Sequence, residues 1–350
     1  MEKWRIIILW FLLLQATTLI AQDPLSDQGW HLIIDDNFNI FNNSIWKKWD
    51  NKVHGSASDE EPQVYLNGNT YISNGNLVME LKREATDCPL SSGCYYNGEH
   101  MFSSGAVQST TTFGYGYYEI YAKMDAAYKS WPAFWFWKSY SDNNTNNCWY
   151  NEIDIFEAYG NKPSFVESNV WYGFVCPITR LQLGITKHSC NYSASYHWYS
   201  IEWDYNKINW YVDHVLMRSI RNDVGNVGIH HSLFIIMNFA LKPTNPSDLT
   251  NITYRHYMYV EEFRAFKLLY DCNTIVNEIP NFTSFDHKVK KSITLSSQTV
   301  LPSGSSESLR ATDFVELKDG FEVPLGVSLY IDNTPCVETL SNESQTENSY

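Results

Sequence analysis

Residues 151–160 read NEIDIFEAYG and place three carboxylates, Glu152, Asp154 and Glu157, within six positions. Polar and apolar residues alternate at the start of this stretch, which is typical of a β-strand with one buried face. Glu152 and Asp154 therefore point to the same side. Glu157 is five residues from Glu152 and would face the opposite side unless a β-bulge near Ile155 absorbs one residue. We expect that bulge and a face carrying all three carboxylates.

This geometry suits glycosidic bond cleavage. With the bulge, the two glutamate Cα atoms are about 13 Å apart at ~3.3 Å per residue, and side chains leaning inward leave the carboxyl groups ~5–7 Å apart. Retaining glycosidases need about 5–5.5 Å and inverting ones about 6.5–9.5 Å, so the estimate permits retention without excluding inversion. Three adjacent carboxylates cannot all ionise at low cost, so one should keep a proton near neutral pH, as a general acid must.

A strand with several carboxylates on one face is more often a solvated sheet surface than a catalytic site. The neighbouring segment argues for catalysis, because residues 131–137 read WPAFWFW. Sugar rings have apolar faces that stack on aromatic side chains. Of the three tryptophans in this segment, we expect some to be core and choose Trp131, at the strand's edge, for the cleft.

EIDIFE resembles the E-x-D-x-x-E signature of glycoside hydrolase family 16, the β-glycanase family of laminarinases, agarases and carrageenases. The resemblance extends from about residue 23 to 269, and further similar segments occur in family order: SSGAVQSTTTFGYGYYEIYAKM (103–124), WPAFWFW (131–137), YHWYSIEWDYNKINWYVD (196–213) and FIIMNFAL (234–241). It implies a β-jelly-roll, concanavalin-like sandwich with a substrate cleft across its concave sheet. Many short strand-like segments without helical periodicity independently indicate an all-β sandwich or barrel.

The resemblance also assigns roles. It implies that Glu152 is the nucleophile, Glu157 the general acid/base, and Asp154 the residue that holds and tunes the nucleophile. The expected substrate-binding residues match family cleft positions or flank the catalytic strand, and each could instead be an ordinary buried residue. They are Trp131, Trp149, Asn169, Trp171, Trp203, Asn238 and, more weakly, Gln108.

These features predict a retaining endo-β-glycanase acting on a polysaccharide. A β-1,3- or mixed-linkage β-glucan is the first expected substrate and an agar-type β-galactan, as for agarases and porphyranases, the second. Two departures from the laminarinase pattern keep the galactan open: Ala106 follows Ser104-Gly105 where many laminarinases have arginine, and Asn169-Val170-Trp171 lacks their histidine. A non-catalytic lectin and a transglycosylase on the same fold are the alternatives.

The chain begins like a secretory protein. Lys3 and Arg5 precede an apolar run and small residues up to Ala21, which is typical of a signal peptide over residues 1–21 and too short for a stable membrane span. A membrane anchor is the alternative. We therefore expect a secreted, periplasmic or cell-surface protein. The net charge of −14 argues against nucleic acid as a partner and, more weakly, against a highly sulfated polysaccharide.

Seven cysteines in an exported chain allow up to three disulfides. Proximity in sequence favours Cys88/Cys94, Cys176/Cys190 and Cys272/Cys336, which would leave Cys148 free. No cysteine pair has C-x-x-C spacing, so we expect no zinc and no required cofactor. A structural calcium ion is common in the resembled family, but no compact Asp/Asn-rich loop identifies ligands here.

We divide the chain into a signal peptide (1–21), a catalytic sandwich (23–270), a linker (271–287), a small β appendage (288–337) and a disordered tail (338–350). In the appendage, Pro-x-Gly turns at 302–304 and 324–326 recur 22 residues apart, each followed by Ser-Leu. This repeat predicts a small coil of stacked strands. We expect the protein to be a monomer.

Overall fold

The computed structural model describes residues 29–53, 61–86, 100–142, 147–174, 176–223, 228–242 and 255–336. The predicted signal peptide, the Cys88/Cys94 pair and the predicted disordered tail lie outside these residues.

The described chain is built almost entirely of β-strands. In chain order they are β1 (Trp30–Asp36), β2 (Trp46–Lys48), β3 (Gln63–Tyr65), β4 (Thr70–Ser73), β5 (Asn76–Thr86), β6 (His100–Ser104), β7 (Ala106–Ser109), β8 (Gly116–Met124), β9 (Ser130–Asp142), β10 (Asn147–Ala158), β11 (Phe165–Gly173), β12 (Leu181–Gln182), β13 (Thr186–Ser189), β14 (His197–Trp203), β15 (Lys207–Val212), β16 (Val215–Arg221), β17 (Phe234–Leu241), β18 (His256–Leu268), β19 (Tyr270–Asn277), β20 (Val289–Leu295), β21 (Ser306–Leu317) and β22 (Ser328–Asn333). Short 3-10 turns span Asn67–Asn69 and Phe282–Ser284.

Two large sheets form the main body. The ten-stranded sheet has the order β16-β15-β14-β8-β18-β5-β6-β3, with β1 beside β18 and β4 beside β5. The eight-stranded sheet has the order β12-β11-β10-β9-β17-β7-β2, with β13 also beside β11. Neighbours in both sheets come from distant parts of the chain, as β17 between β7 and β9 shows.

The hydrophobic core lies between the two sheets. Its largest side chains come from alternate positions of strands in both sheets, such as Phe134 and Phe136 of β9 and Tyr118 of β8. Alternation leaves the opposite side of the eight-stranded sheet facing away from this core, and we call that side the outer face. The prediction of an all-β sandwich with the jelly-roll architecture is confirmed.

The C-terminal appendage is a coil of parallel strands. β19, β20, β21 and β22 pair in sequence order, and Ser306 lies opposite Ser328, 22 residues later. Its own small core includes Phe282, Ile293 and Leu309. The predicted stacking is present, but the predicted linker boundary is wrong. Residues 270–277 already form the first strand of the coil, because Tyr270 pairs with Val289.

Polar contacts fix the coil to the ten-stranded sheet. The Lys207 ammonium lies 2.7 Å from the Asp332 carboxylate, and the amide of Asn206 donates to the Asn333 carbonyl at 2.6 Å. These residues come from the β15 end of the sandwich and from the last rung of the coil. The appendage is therefore held to the sandwich by these contacts at its last strand, and by chain continuity at its first, since β19 follows β18 directly.

Two disulfides occur in the described chain. Cys272–Cys336 is present as predicted and joins the first rung of the coil to its end. The predicted Cys176/Cys190 pair is wrong: Cys148 at the start of β10 bonds Cys176, with Cα atoms 5.3 Å apart. Cys190 is a buried free thiol whose Sγ lies 3.4 Å from the Tyr199 hydroxyl, because its position after β13 directs it into the core.

Within the residues that the structure describes, no helix has the length and apolar character needed to cross a membrane.

Candidate active site

The predicted bulge in the strand that carries the three carboxylates is confirmed. β10 runs between β9 and β11, and its register with both neighbours slips after Asp154. Ile153, Ile155 and Phe156 are all buried in the core, so the extra residue is Ile155 and the alternation restarts at Phe156. Glu157 therefore shares the outer face with Glu152 and Asp154.

The register of the sheet sets the neighbours of each carboxylate. Glu152 lies opposite Trp171 of β11 and Trp137 of β9, while Asp154 lies opposite Asn169 and Trp135. Beyond the bulge, Glu157 faces Glu167 and Ala133 in the same two strands. Small Ala133 leaves room above the sheet beside Glu157, whereas indoles flank the other two carboxylates.

Glu157 is held by aromatic donors. The Trp131 indole N–H donates to its Oε1 at 2.8 Å, and the Tyr159 hydroxyl approaches the same oxygen at 3.4 Å. Its side chain is buried, and this burial raises the pKa of Glu157 to about 7. The ammonium of Lys242 opposes that rise and the charge of Glu152 adds to it. A carboxyl with this pKa can both give and take a proton near neutrality.

Asp154 is the most enclosed of the three carboxylates. Its side chain is 4 % exposed, and its backbone carbonyl accepts a hydrogen bond from the Trp210 indole at 2.9 Å on the core side. Burial, then the charges of Glu152 and Glu157, raise its pKa well above the usual value. Asp154 therefore favours a protonated or proton-sharing state between its two neighbours.

Tyr150 is a site residue that the sequence reasoning missed. It lies two residues before Glu152 on the same face of β10, and its hydroxyl donates to Oε2 of Glu152. The guanidinium of Arg180 lies 4.4 Å from the centre of its ring. Period-two alternation extended backwards from Glu152 would have identified Tyr150, since it has the same parity.

An aromatic floor extends from the carboxylates across the outer face. A second apolar cluster, separate from the core, contains Trp49, Tyr65 and Trp135, with Trp137 packed against it. The expectation that some of the tryptophans of β9 are core holds for Trp135, which is buried in this second cluster. None of the three lies between the sheets, because Phe134 and Phe136 fill that core while Trp131, Trp135 and Trp137 have the opposite parity. Trp49 and Tyr65 were not predicted, since they come from distant segments.

Polar side chains fix this floor. The Asn238 amide accepts a hydrogen bond from the Trp135 indole at 2.8 Å and donates to the Tyr65 hydroxyl at 2.9 Å. Gln108 accepts from the Trp49 indole at 3.3 Å. The cross-strand register therefore places both predicted amides on the outer face with the aromatic residues they orient.

The other predicted substrate-binding residues divide into two groups. The structure brings Trp131, Asn169 and Trp171 to the outer face, although Asn169 is only 2 % exposed and its Oδ1 accepts from the backbone N–H of Val170. Two predictions are corrected. Trp149 has the opposite parity to Glu152 and packs in the core against His231, and Trp203 is fully buried there with its indole donating to the Ile229 carbonyl.

One acidic cluster in the described chain has metal-ligand spacing. Carboxylate oxygens of Glu202, Asp204 and Asp332 lie within 4.8 Å of one another. The Lys207 ammonium already lies 2.7 Å from Asp332 and 3.6 Å from Glu202, so a fixed cation neutralises the cluster. These residues do not fit a calcium site, and calcium stays a prediction without ligands.

Comparison with known proteins agrees with this geometry. Residues 58–242, just over half of the chain, match the family described as Glycosyl hydrolases family 16. The chain is 27% identical over 202 residues to a β-glucanase of Rhodothermus marinus, covering 55% of this chain and 66% of that protein. It is 25% identical over 242 residues to glucan endo-1,3-β-glucosidase A1 of Niallia circulans, covering 61% of this chain and 34% of that protein. It thus matches between one third and two thirds of these relatives' lengths.

Solved structures share the fold. The catalytic domain of an endo-1,3-β-glucanase (laminarinase) from Thermotoga petrophila superposes with a TM-score of 0.52 at 22% identity, covering 68% of this chain and 98% of that one. The sandwich, the bulged strand with its three carboxylates and the sequence match agree with one another. The chain belongs to glycosyl hydrolase family 16.

Proposed function

We propose that this protein is a retaining endo-β-glycanase. One observation carries the proposal: a single bulge in β10 sets Glu152, Asp154 and Glu157 on one face, and burial raises the pKa of Glu157 to about 7. Double displacement at an anomeric carbon requires a carboxylate nucleophile and a carboxyl that holds a proton near neutrality, and the two outer glutamates can fill these roles.

The proposed reaction proceeds in two steps. The Glu157 carboxyl donates its proton to the leaving glycosidic oxygen while the Glu152 carboxylate attacks the anomeric carbon and forms a glycosyl ester. The Glu157 carboxylate then removes a proton from water, which displaces Glu152 and restores both groups. The Tyr150 hydroxyl orients Glu152 for attack, and Asp154 makes it costly for all three groups to ionise together.

The proposed substrate is a β-1,3- or mixed-linkage β-glucan, with an agar-type β-galactan second. The aromatic floor around Trp49, Tyr65 and Trp135 supplies apolar platforms for successive sugars. The names of the relatives, a β-glucanase and a glucan endo-1,3-β-glucosidase, favour the glucan. The galactan is retained because Ala106 stands where many laminarinases have arginine and the segment Asn169-Val170-Trp171 lacks their histidine.

We propose further that the protein acts outside the cytosol as a monomer. Its disulfides, Cys148–Cys176 and Cys272–Cys336, suit an oxidising compartment, and the leader-like sequence of residues 1–21 agrees with export.

A product assay tests the activity. Purified protein is incubated with laminarin, mixed-linkage glucan, agarose and carrageenan, beside Glu152→Gln, and oligosaccharides are separated. Oligosaccharides from one glycan that vanish in the variant support the endo-hydrolase and name its substrate. Binding of a glycan by both proteins without cleavage would replace the proposal with a lectin. Elongated products after an acceptor sugar is added would indicate a transglycosylase.

A further inference from the structure

Three exposed lysines lie at the end of the outer face beyond Glu157, and we call Lys162, Lys187 and Lys242 the basic rim. Lys162 lies in the turn after β10, Lys187 in β13, and Lys242 directly after β17. The chain direction of β10 places this end away from Glu152. Three elements distant in sequence thus converge on the acid/base side of the candidate active site.

Aromatic rings connect the basic rim to Glu157. The Lys242 ammonium lies 3.8 Å from the centre of the Trp131 ring, whose indole N–H is bonded to Glu157. It also lies 6.0 Å from the ring of Tyr159, the second donor to Glu157, and the Lys162 ammonium lies 5.3 Å from that ring.

The rim continues through one more ring. The ammonium groups of Lys162 and Lys187 lie 5.7 Å and 4.9 Å from the ring of Phe165, at the start of β11. The three cations therefore lie along aromatic rings that begin beside the proposed catalytic acid, with Lys162 between the rings of Tyr159 and Phe165. Contact with these rings limits the positions of the lysine side chains.

The three ammonium groups of the rim have no close ion-pair partner among the described residues, although Lys242 acts on Glu157 from a longer distance. In the described parts of the chain, no carboxylate forms an ion pair within 4.0 Å of any of these three ammonium groups. Glu167 lies opposite Lys187 in the sheet register but its side chain is buried beside Glu157. This matters in a protein with 39 acidic and 25 basic residues, where exposed lysines readily find carboxylates.

Solvated lysines are common on protein surfaces, and their charges usually contribute little to stability or binding. Here three lysines that form no ion pair within 4.0 Å in the described chain border the candidate substrate face of an acidic protein. A neutral sugar gains little from such a group, whereas a sulfate ester or a carboxylate on a sugar would gain charge-assisted hydrogen bonds.

We propose that the basic rim binds an anionic substituent, a sulfate ester or a uronate carboxylate, on a sugar at the acid/base end of the site. This inference rests on the proposed glycanase function and narrows its substrate to glycans carrying such groups. It revises the expectation, drawn from net charge, that a sulfated polysaccharide is disfavoured. A local cluster of like charges governs binding more strongly than distant charges, which salt screens beyond about 8 Å at physiological ionic strength.

Binding to matched ligands tests the proposal without requiring hydrolysis. Glu152→Gln is titrated with laminarin, laminarin sulfate and laminarin oxidised to carboxylate at its primary hydroxyls, at low and high salt. We expect one or both anionic forms to bind about tenfold more tightly than laminarin at low salt, and salt to reduce this ratio. Tighter binding of the sulfate form alone would identify a sulfate ester as the bound group. Tighter binding of the oxidised form alone would identify a uronate, and tighter binding of both would indicate a site for either anion.

Variants locate the effect. In the Glu152→Gln background, Lys162→Gln, Lys187→Gln and Lys242→Gln together should abolish the preference. The matched control, Lys267→Gln, Lys291→Gln and Lys318→Gln, removes the same charge from exposed positions on β18 and the coil and should keep it.

Equal binding of all three ligands, or a preference that survives the rim variant, would overturn the proposal. Failure of the glycanase function appears separately, as absence of cleavage products from the unmutated protein.

Discussion

The indole N–H of Trp131 donates to Oε1 of Glu157 at 2.8 Å, and the ring of the same side chain contacts a cation. The Lys242 ammonium lies 3.8 Å from the Trp131 ring centre. The charge of Lys242 and the hydrogen bond from Trp131 both lower the pKa of Glu157, against the larger effect of burial. The proton of the proposed catalytic acid is therefore controlled by a residue at the end of β17 and one near the start of β9.

Replacing Lys242 should move the pH dependence of activity. Lys242→Gln removes a cation that favours ionised Glu157, so the pKa of Glu157 should rise above about 7. Because the acid must be protonated to act, the basic limb of the kcat/KM profile should shift to higher pH. The profile on the identified glycan measures this. An unchanged basic limb, or an equal shift in Lys267→Gln, would contradict the assignment.

The raised pKa of Glu157 also predicts how stability varies with pH. The unfolded side chain has a pKa near 4.5, so between about 4.5 and 7 the folded state binds more protons and stability falls as pH rises. The Glu157→Gln side chain carries no charge, so its free energy of unfolding should not fall in this way. Relative to the unmutated protein it should gain up to about 3 kcal/mol of stability above pH 7.

Thermal or urea unfolding between about pH 4 and 9 would show the gain for Glu157→Gln growing with pH and levelling off above about 7. The same measurement on Glu322→Gln, an exposed coil residue, is the control for replacing a glutamate away from the candidate site. A pH-independent difference for Glu157→Gln would mean that its carboxyl is not perturbed by folding.

The two outer glutamates should differ in their response to azide. In Glu152→Ala the missing nucleophile leaves space on that side, so azide should attack an activated substrate directly and give a glycosyl azide of inverted configuration. In Glu157→Ala the glycosyl ester still forms with a good leaving group, and azide should release it with retained configuration. NMR of the products distinguishes them, and the reverse pattern would exchange the roles.

Tyr150 and Trp149 provide a neighbouring pair with opposite roles. Tyr150→Phe removes the hydrogen bond to Glu152, and a bond to a charged group is worth about 1.5–3 kcal/mol, so kcat/KM should fall roughly tenfold or more. Trp149→Phe removes core packing on the other face and should lower the free energy of unfolding with kcat little changed. A larger loss of activity in Trp149→Phe than in Tyr150→Phe would contradict the orientation of β10, in which Tyr150 and not Trp149 faces the site.

The disulfide between Cys148 and Cys176 is directly testable. Peptide mapping without reduction should recover these two cysteines in one linked fragment, with Cys190 alkylated only after unfolding. Cys148→Ser with Cys176→Ser should lower the free energy of unfolding by about 2–4 kcal/mol. Cys190→Ala serves as a control that removes a thiol without removing a crosslink. A linked fragment of Cys176 and Cys190 would restore the pairing suggested by sequence proximity.

Much of the candidate site was predictable because strand alternation is local. The odd spacing of Glu152 and Glu157 required a bulge, and the structure places it at Ile155. The same rule applied backwards separates Tyr150 from Trp149, so the error over Trp149 came from relying on its closeness to the motif in sequence. Trp203 was misplaced for a related reason. Whether a strand residue lies near the site can be predicted only when its sheet and the face on which it lies are known.

Residues 151–160 by themselves determined a bulged strand, the shared face of three carboxylates and the family, because period-two geometry and motif spacing are properties of one segment. Tertiary structure decided which distant segments meet that strand. It brought Trp49, Tyr65 and Lys242 to the outer face, paired Cys148 with Cys176, and began the coil at Tyr270. Strand order and register arise from burial of both sheets against one core, and no local pattern in the chain encodes those pairings.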